Sequence, residues 1–222
     1  SGEQLFVTLL DENETVIASH AVNGDGSYLF SGVDGIISNS AYRVVLSTSE
    51  DNKTAGLPTN WSNQDGEHIG TDAGTDGSND GLIEVSVVTS NVEEVNFGIN
   101  KKPVASDVTE PLQLNPGVES QVDVPDLVVS DNEDSVPSDV TIVTVPVNGT
   151  LYYNGVEVTA GQEIADFNNS LLTVDPDNGD LSISFTYTTT DAVGVESEAA
   201  TVSMSFEGLE IRGNVFNDGN ND

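Results

Sequence analysis

Apolar side chains in this chain recur at every second residue, and that period decides what it can fold into. Leu181, Ile183, Phe185 and Tyr187 alternate with Ser182, Ser184, Thr186 and Thr188. Successive side chains of an extended strand point to opposite faces, so this run reads as a half-buried strand. Val202, Met204 and Phe206 against Thr201, Ser203 and Ser205 repeat the pattern across a turn at Asp191–Gly194, which predicts a hairpin. Residues 4–10, 15–21, 27–31, 41–49, 82–90 and 93–99 are further strand candidates, rich in β-branched or aromatic residues and separated by Gly, Asn and Asp clusters. No window carries a helical period, and short strands at regular spacing imply sandwiches or barrels.

A length of 222 residues accommodates two small domains, each with its own core. The boundary is expected near Asn100-Lys101-Lys102-Pro103, where a proline that cannot join a ladder precedes a new set of strands. The predicted fold is therefore all-β, two sandwich domains in tandem at 1–102 and 103–207. Past Gly208, Leu209, Ile211, Gly213 and Val215 alternate with Glu210, Arg212, Asn214 and Phe216, a strand pattern with no partner left in sequence. The opening "SGEQLFVTLL", in turn, lacks an initial strand. Residues 208–222 are thus expected to be the first strand and the start of a loop of a following copy, or a strand donated to a neighbouring subunit.

The 38 acidic residues against 5 basic ones give a net charge of −33. A field of that sign repels phosphate backbones and anionic surfaces, which excludes nucleic acid as a partner. It also opposes compaction unless bound cations or a saline medium offset it. Cysteine is absent, so neither disulfides nor a thiolate zinc site is open to the chain. No stretch is long and apolar enough to span a bilayer as a helix, and no basic-then-apolar leader opens the sequence.

The tail "IRGNVFNDGNND", the run "VTLLDENETVIASHAVNGDGSYLFSGV" and the closing "VNFGIN" resemble the B-type repeats of bacterial serine-aspartate-repeat surface adhesins, over residues 1–100 and 209–222. Residues 101–207, with "KKPVASD", "VPVNGTLYYNG" and "SFTYTTTDAVGVESEAATVSMSF", are similar to cadherin-like or immunoglobulin-like repeats of large bacterial adhesins. The resemblance implies immunoglobulin-like or prealbumin-like sandwiches, calcium bound in loops to stiffen a rod, and no catalysis. Some related domains carry Lys–Asn crosslinks; here Arg212 stands where the tail strand would supply the lysine, and Lys53, Lys101 and Lys102 read as loop or linker residues.

Calcium is the expected cofactor. Asp218, Asn220 and Asp222 place oxygens at positions 1, 3 and 5 of a tight loop, with Glu3 as the counterpart of the closing carboxylate, and such oxygens converge on a hard cation. Asp72, Asp76 and Asp80 recur every fourth residue among glycines in an acidic loop spanning Asp65 to Asp80, which also holds His68. Asp25 with Asn23 and Asp11, and Asp131 with Asp134 and Asp191, form weaker clusters. The plain alternative in each case is turn chemistry, because Asn and Asp hydrogen-bond their own backbone.

Catalysis finds little support: neither His20 nor His68 sits with an evident nucleophile, and carboxylate pairs occur everywhere by composition. Trp61 reads as a core or loop plug ahead of a sugar platform. The sequence thus predicts a repeat unit of an extracellular or cell-surface adhesin or filament whose partners are copies of itself, without membrane insertion; its target, glycan or protein, is unspecified. The alternative is a carbohydrate- or protein-binding accessory module of a secreted hydrolase.

Overall fold

The computed structural model describes residues 4–69, 78–117, 119–131 and 136–215, with backbone alone at 65, 66 and 68. Among these residues every regular element is a strand, apart from two 3-10 turns at Gly32–Asp34 and Asn169–Leu171. No helix there is long and apolar enough to cross a membrane. The chain divides into two compact units, Ser1–Lys102 and Pro103–Asp222.

The first unit contains β1 (Phe6–Asp11), β2 (Val16–Ala21), β3 (Ser40–Ser47), β4 (Trp61–Ile69), β5 (Leu82–Val87) and β6 (Val95–Lys101). One antiparallel sheet runs β2-β1-β3-β5 and a second pairs β4 with β6. Val7, Leu9, Tyr42, Val44, Leu46, Ile83 and Val85 of the larger sheet form a core against which Ile69, Val95, Phe97 and Ile99 of the smaller one pack. Two sheets sharing one core is a sandwich arrangement. Each fully buried aliphatic side chain contributes roughly 1.5–3 kcal/mol, so the alternation itself fixes which face turns inward.

Three local expectations differ. Residues 27–31 form no ladder: they run without a strand neighbour among the described residues into the turn at Gly32–Asp34, although Tyr28 and Phe30 pack on the core. Alternation reports which side chains are buried, whereas a ladder also needs a backbone partner. Residues 65–69, placed in the acidic loop by their polarity, continue β4. The ladder with β6 changes register between Gln64 and His68, which breaks the period that would have marked a strand. Lys101 likewise closes β6, opposite Trp61, and is no linker residue.

Only Lys102 and Pro103 separate β6 from the first strand of the second unit. That unit comprises β7 (Val104–Ser106), β8 (Val108–Thr109), β9 (Gln113–Leu114), β10 (Val122–Asp123), β11 (Val128–Ser130), β12 (Asp139–Thr144), β13 (Gly149–Tyr153), β14 (Val156–Glu157), β15 (Gln162–Ile164), β16 (Leu172–Pro176), β17 (Leu181–Thr190) and β18 (Ala200–Glu207). One sheet has the order β15-β12-β17-β18-β8, with β9 also on β18; another runs β10-β16-β13-β14, and β11 pairs with β7. The predicted hairpin is present as β17 and β18, in register from Leu181 opposite Phe206 to Tyr187 opposite Ala200. Leu151, Leu172 and Val174 from one sheet share a core with Ile142, Phe185, Val202 and Met204 from the other.

Beyond β18, Gly208 donates its N–H to Asp180 Oδ1 at 2.7 Å, and then order of the ladder type ends. Residues 209–215 form no strand, and Leu209, Ile211 and Val215 are 71, 104 and 105% exposed.

Candidate functional site

Of the residues expected to hold calcium, Glu3, Asp72, Asp76, Asp134, Asp218, Asn220 and Asp222 lie outside the described residues. The structure places the other three apart in the chain. Asp25 sits exposed in the loop after β2, where its Oδ1 accepts from Ser27 N at 3.0 Å and Ser27 Oγ at 2.7 Å. Those bonds, the hydroxyl's first, hold its carboxyl below the usual carboxylate range. Asp80 is exposed just before β5, and Asp131 is half-buried just after β11.

The auxiliary acidic residues are turn formers. Asp11 Oδ1 accepts from Asn13 N at 2.9 Å and Thr15 N at 2.8 Å, and the bond from Thr15 above all lowers its pKa. Asp191, buried at the end of β17, accepts from Val193 N and Val195 N at 3.0 and 2.8 Å. Among the described residues no group of three or more His, Asp or Glu converges as a metal site. Calcium takes six to eight oxygens, and seven of the ten expected ligands lie outside the described residues.

Between β4 and β5 stands a carboxylate that the sequence did not single out. Glu67, in β4, is 1% exposed, and its two oxygens accept from Gly81 N at 3.1 Å and Leu82 N at 2.6 Å. β4 is thereby fastened to the start of β5. Gly81 has φ +81°, and a Cβ there would lie 3.0 Å from the Ala55 methyl, so both conformation and space demand glycine. Asn63, also in β4, lies beside Gly81, and its Oδ1 is buried without a hydrogen-bond partner among the described residues. The clue was an acidic residue at strand spacing inside an otherwise loop-like run, "NQDGEHIG".

A groove of about 600 Å³ opens in the first unit. Its floor is the apolar face of the larger sheet, with Leu9, Val44 and Val85. One wall is the ladderless segment around Tyr28 and Phe30; the other runs through Val92 to the first residues of β6. Tyr28 Oη donates to Val95 O at 2.6 Å, joining the walls, and burial pushes the phenol's pKa up. Near one wall His20 Nε2 lies 3.0 Å from Asp34 Oδ1, and the His20 ring stacks obliquely on Phe30. Asp34, held chiefly by the Ser31 N–H, has a lowered pKa. A histidine paired to a carboxylate that is itself engaged by backbone is arranged as a fastening of the turn at Gly32–Asp34. Trp61 opens β4 and is partly buried.

The sequence matches no family model, and no curated protein is significantly similar to it.

Proposed function

We propose that this chain is a structural unit of an extracellular or cell-surface fibre, a non-catalytic module that works by repetition and adhesion. The observation that carries the reading is the direct succession of two all-β units, each with its own core, across only Lys102 and Pro103. So short a connection containing a proline suits a stalk better than a flexible tether. The sandwich type is immunoglobulin-like or prealbumin-like on this reading, and the likeness to adhesin repeats in the tail and in residues 1–100 supports it. The charge of −33 calls for cations, and calcium gathered by the loops at residues 72–80 and 218–222 answers that need.

Immunogold labelling of intact cells with an antibody raised against this chain tests the proposal. Gold on extended material outside the cell is the expected result. Label confined to the cell interior overturns it.

A further inference from the structure

We infer that the second unit is a salt-gated fold: it keeps its structure in a saline medium and opens when the ionic strength falls, while the first unit stays folded. The inference stands on charge and hydrogen bonding and does not rest on the fibre reading.

Residues 103–207 contain no Lys, Arg or His, yet they carry half of the protein's 38 acidic residues. No ion pair can therefore form within that stretch. Arg212, the base that follows it, bonds to Glu210 of its own segment. The other four bases, Arg43, Lys53, Lys101 and Lys102, belong to the first unit. There Arg43 of β3 reaches Glu14 at 3.0 Å and Glu84 of β5 at 3.1 Å, so one cation offsets two carboxylates.

In the second unit carboxylates take neutral donors instead. Asp107 Oδ1 accepts from Thr201 N at 2.7 Å, Asp139 Oδ1 from Asp166 N at 3.0 Å, and Glu196 Oε1 from the Thr188 hydroxyl. Such bonds hold the chain in place but leave each charge uncancelled. Other carboxylates stand in water on the sheets. Asp123, opposite Thr173, and Glu157, opposite Tyr152, are exposed on one face, because Thr173 and Tyr152 are themselves opposed between them. Glu163 is exposed on β15. Folding draws such charges together, since a domain of about 100 residues has a radius of gyration of about 13 Å folded and about 30 Å unfolded. Salt decides how strongly they then repel. The screening length is about 30 Å at about 0.01 M, wider than the folded radius, and about 8 Å at about 0.15 M, narrower than it. Repulsion summed over pairs grows roughly with the square of the net charge, so the unit without bases feels dilution most.

Residue-resolved hydrogen exchange on the whole chain tests the inference, in sodium chloride from about 0.01 to about 0.15 M with a chelator present. Amides of β17 and β18 report on the second unit, and those of β1 and β3 on the first. As salt is lowered, exchange in β17 and β18 should quicken about tenfold or more, and that in β1 and β3 by a smaller factor. Choline chloride should protect as sodium chloride does, because screening depends on charge and concentration alone. The triple variant Asp123→Lys/Glu157→Lys/Glu163→Lys, altered only at exposed positions, should flatten the response of β17 and β18 and leave that of β1 and β3 unchanged. Exchange indifferent to salt, or quickened equally in both units, overturns the inference. So does protection by one cation alone, which marks a bound ion, or a triple variant as salt-sensitive as the wild type. Should that variant fail to fold, Asp123→Asn with Glu157→Gln carries the same comparison at smaller amplitude.

Discussion

The hydroxyl of Tyr28 reaches the carbonyl of Val95 across 67 positions of sequence, at 2.6 Å. This bond ties the two walls of the groove, which no ladder joins among the described residues. The Tyr28 ring also meets Phe30 and Phe97, at centroid separations of 6.0 and 6.3 Å, so the phenol is both a packing element and a clasp.

Removing the hydroxyl while keeping the ring isolates the clasp. Tyr28→Phe should cost about 0.5–1.5 kcal/mol, the usual net value of one hydrogen bond. The pH response supplies a second signature. Burial raises the Tyr28 pKa above its reference value of 10.0, so the folded state holds the proton more tightly than the unfolded state does. Its contribution is complete below pH 10 and declines as pH rises beyond that value. Melts followed by fluorescence of Trp61, the sole tryptophan and a first-unit residue, should show this alkaline decline in the wild type. In Tyr28→Phe the decline should be shallower; equal slopes would remove the clasp.

Glu67 makes a sharper prediction, because its oxygens accept two backbone N–H groups in a buried setting. Glu67→Gln replaces one acceptor by an NH₂ that confronts an N–H. An expected loss of about 1–3 kcal/mol follows from the unsatisfied donor. Gly81→Ala attacks the same junction from the other side, at about 1–2 kcal/mol for a left-handed conformation alone. Chemical denaturation read by Trp61 fluorescence measures both, and variants as stable as wild type would show that the junction is dispensable.

In the second unit Tyr187 plays a comparable part. Its side chain is completely buried, its Oη donates to Ser106 O at 2.7 Å and accepts from Val128 N at 3.0 Å. Val128 and Ser106 are themselves opposed in the β7·β11 pair. Tyr187→Phe therefore leaves both edges of that pair without their anchor, and calorimetry should report a loss of about 1–3 kcal/mol.

How much of this was legible beforehand varies with the physics involved. The β17–β18 hairpin was, because burial on one face writes period two directly into Leu181–Tyr187 and Val202–Phe206. The strand at 65–69 was not, because a register shift in the ladder destroys that period. Residues 27–31 show the converse: alternation records that Tyr28 and Phe30 face a core, and says nothing of whether a neighbour meets their backbone. Glu67 was hidden for a related reason. An acidic side chain among Asn, Asp and Gly reads as solvated until the fold brings Gly81 N and Leu82 N to it.

The final prediction separates specific metal binding from mere screening. With 38 acidic residues against 5 basic ones, any added salt relieves self-repulsion and should raise the unfolding midpoint somewhat. A cation that only the folded loop gathers adds a further term by mass action, rising with the logarithm of its concentration above the dissociation constant. Calcium at millimolar level should therefore raise the Trp61-monitored midpoint more than sodium chloride of equal ionic strength, and a chelator should reverse the excess. Asp72→Asn with Asp76→Asn should reduce that excess while leaving the sodium response nearly unchanged, since two charges of 38 scarcely alter the overall field. Equal responses to calcium and sodium in the wild type would leave screening alone, and the calcium proposal for the first unit would fall.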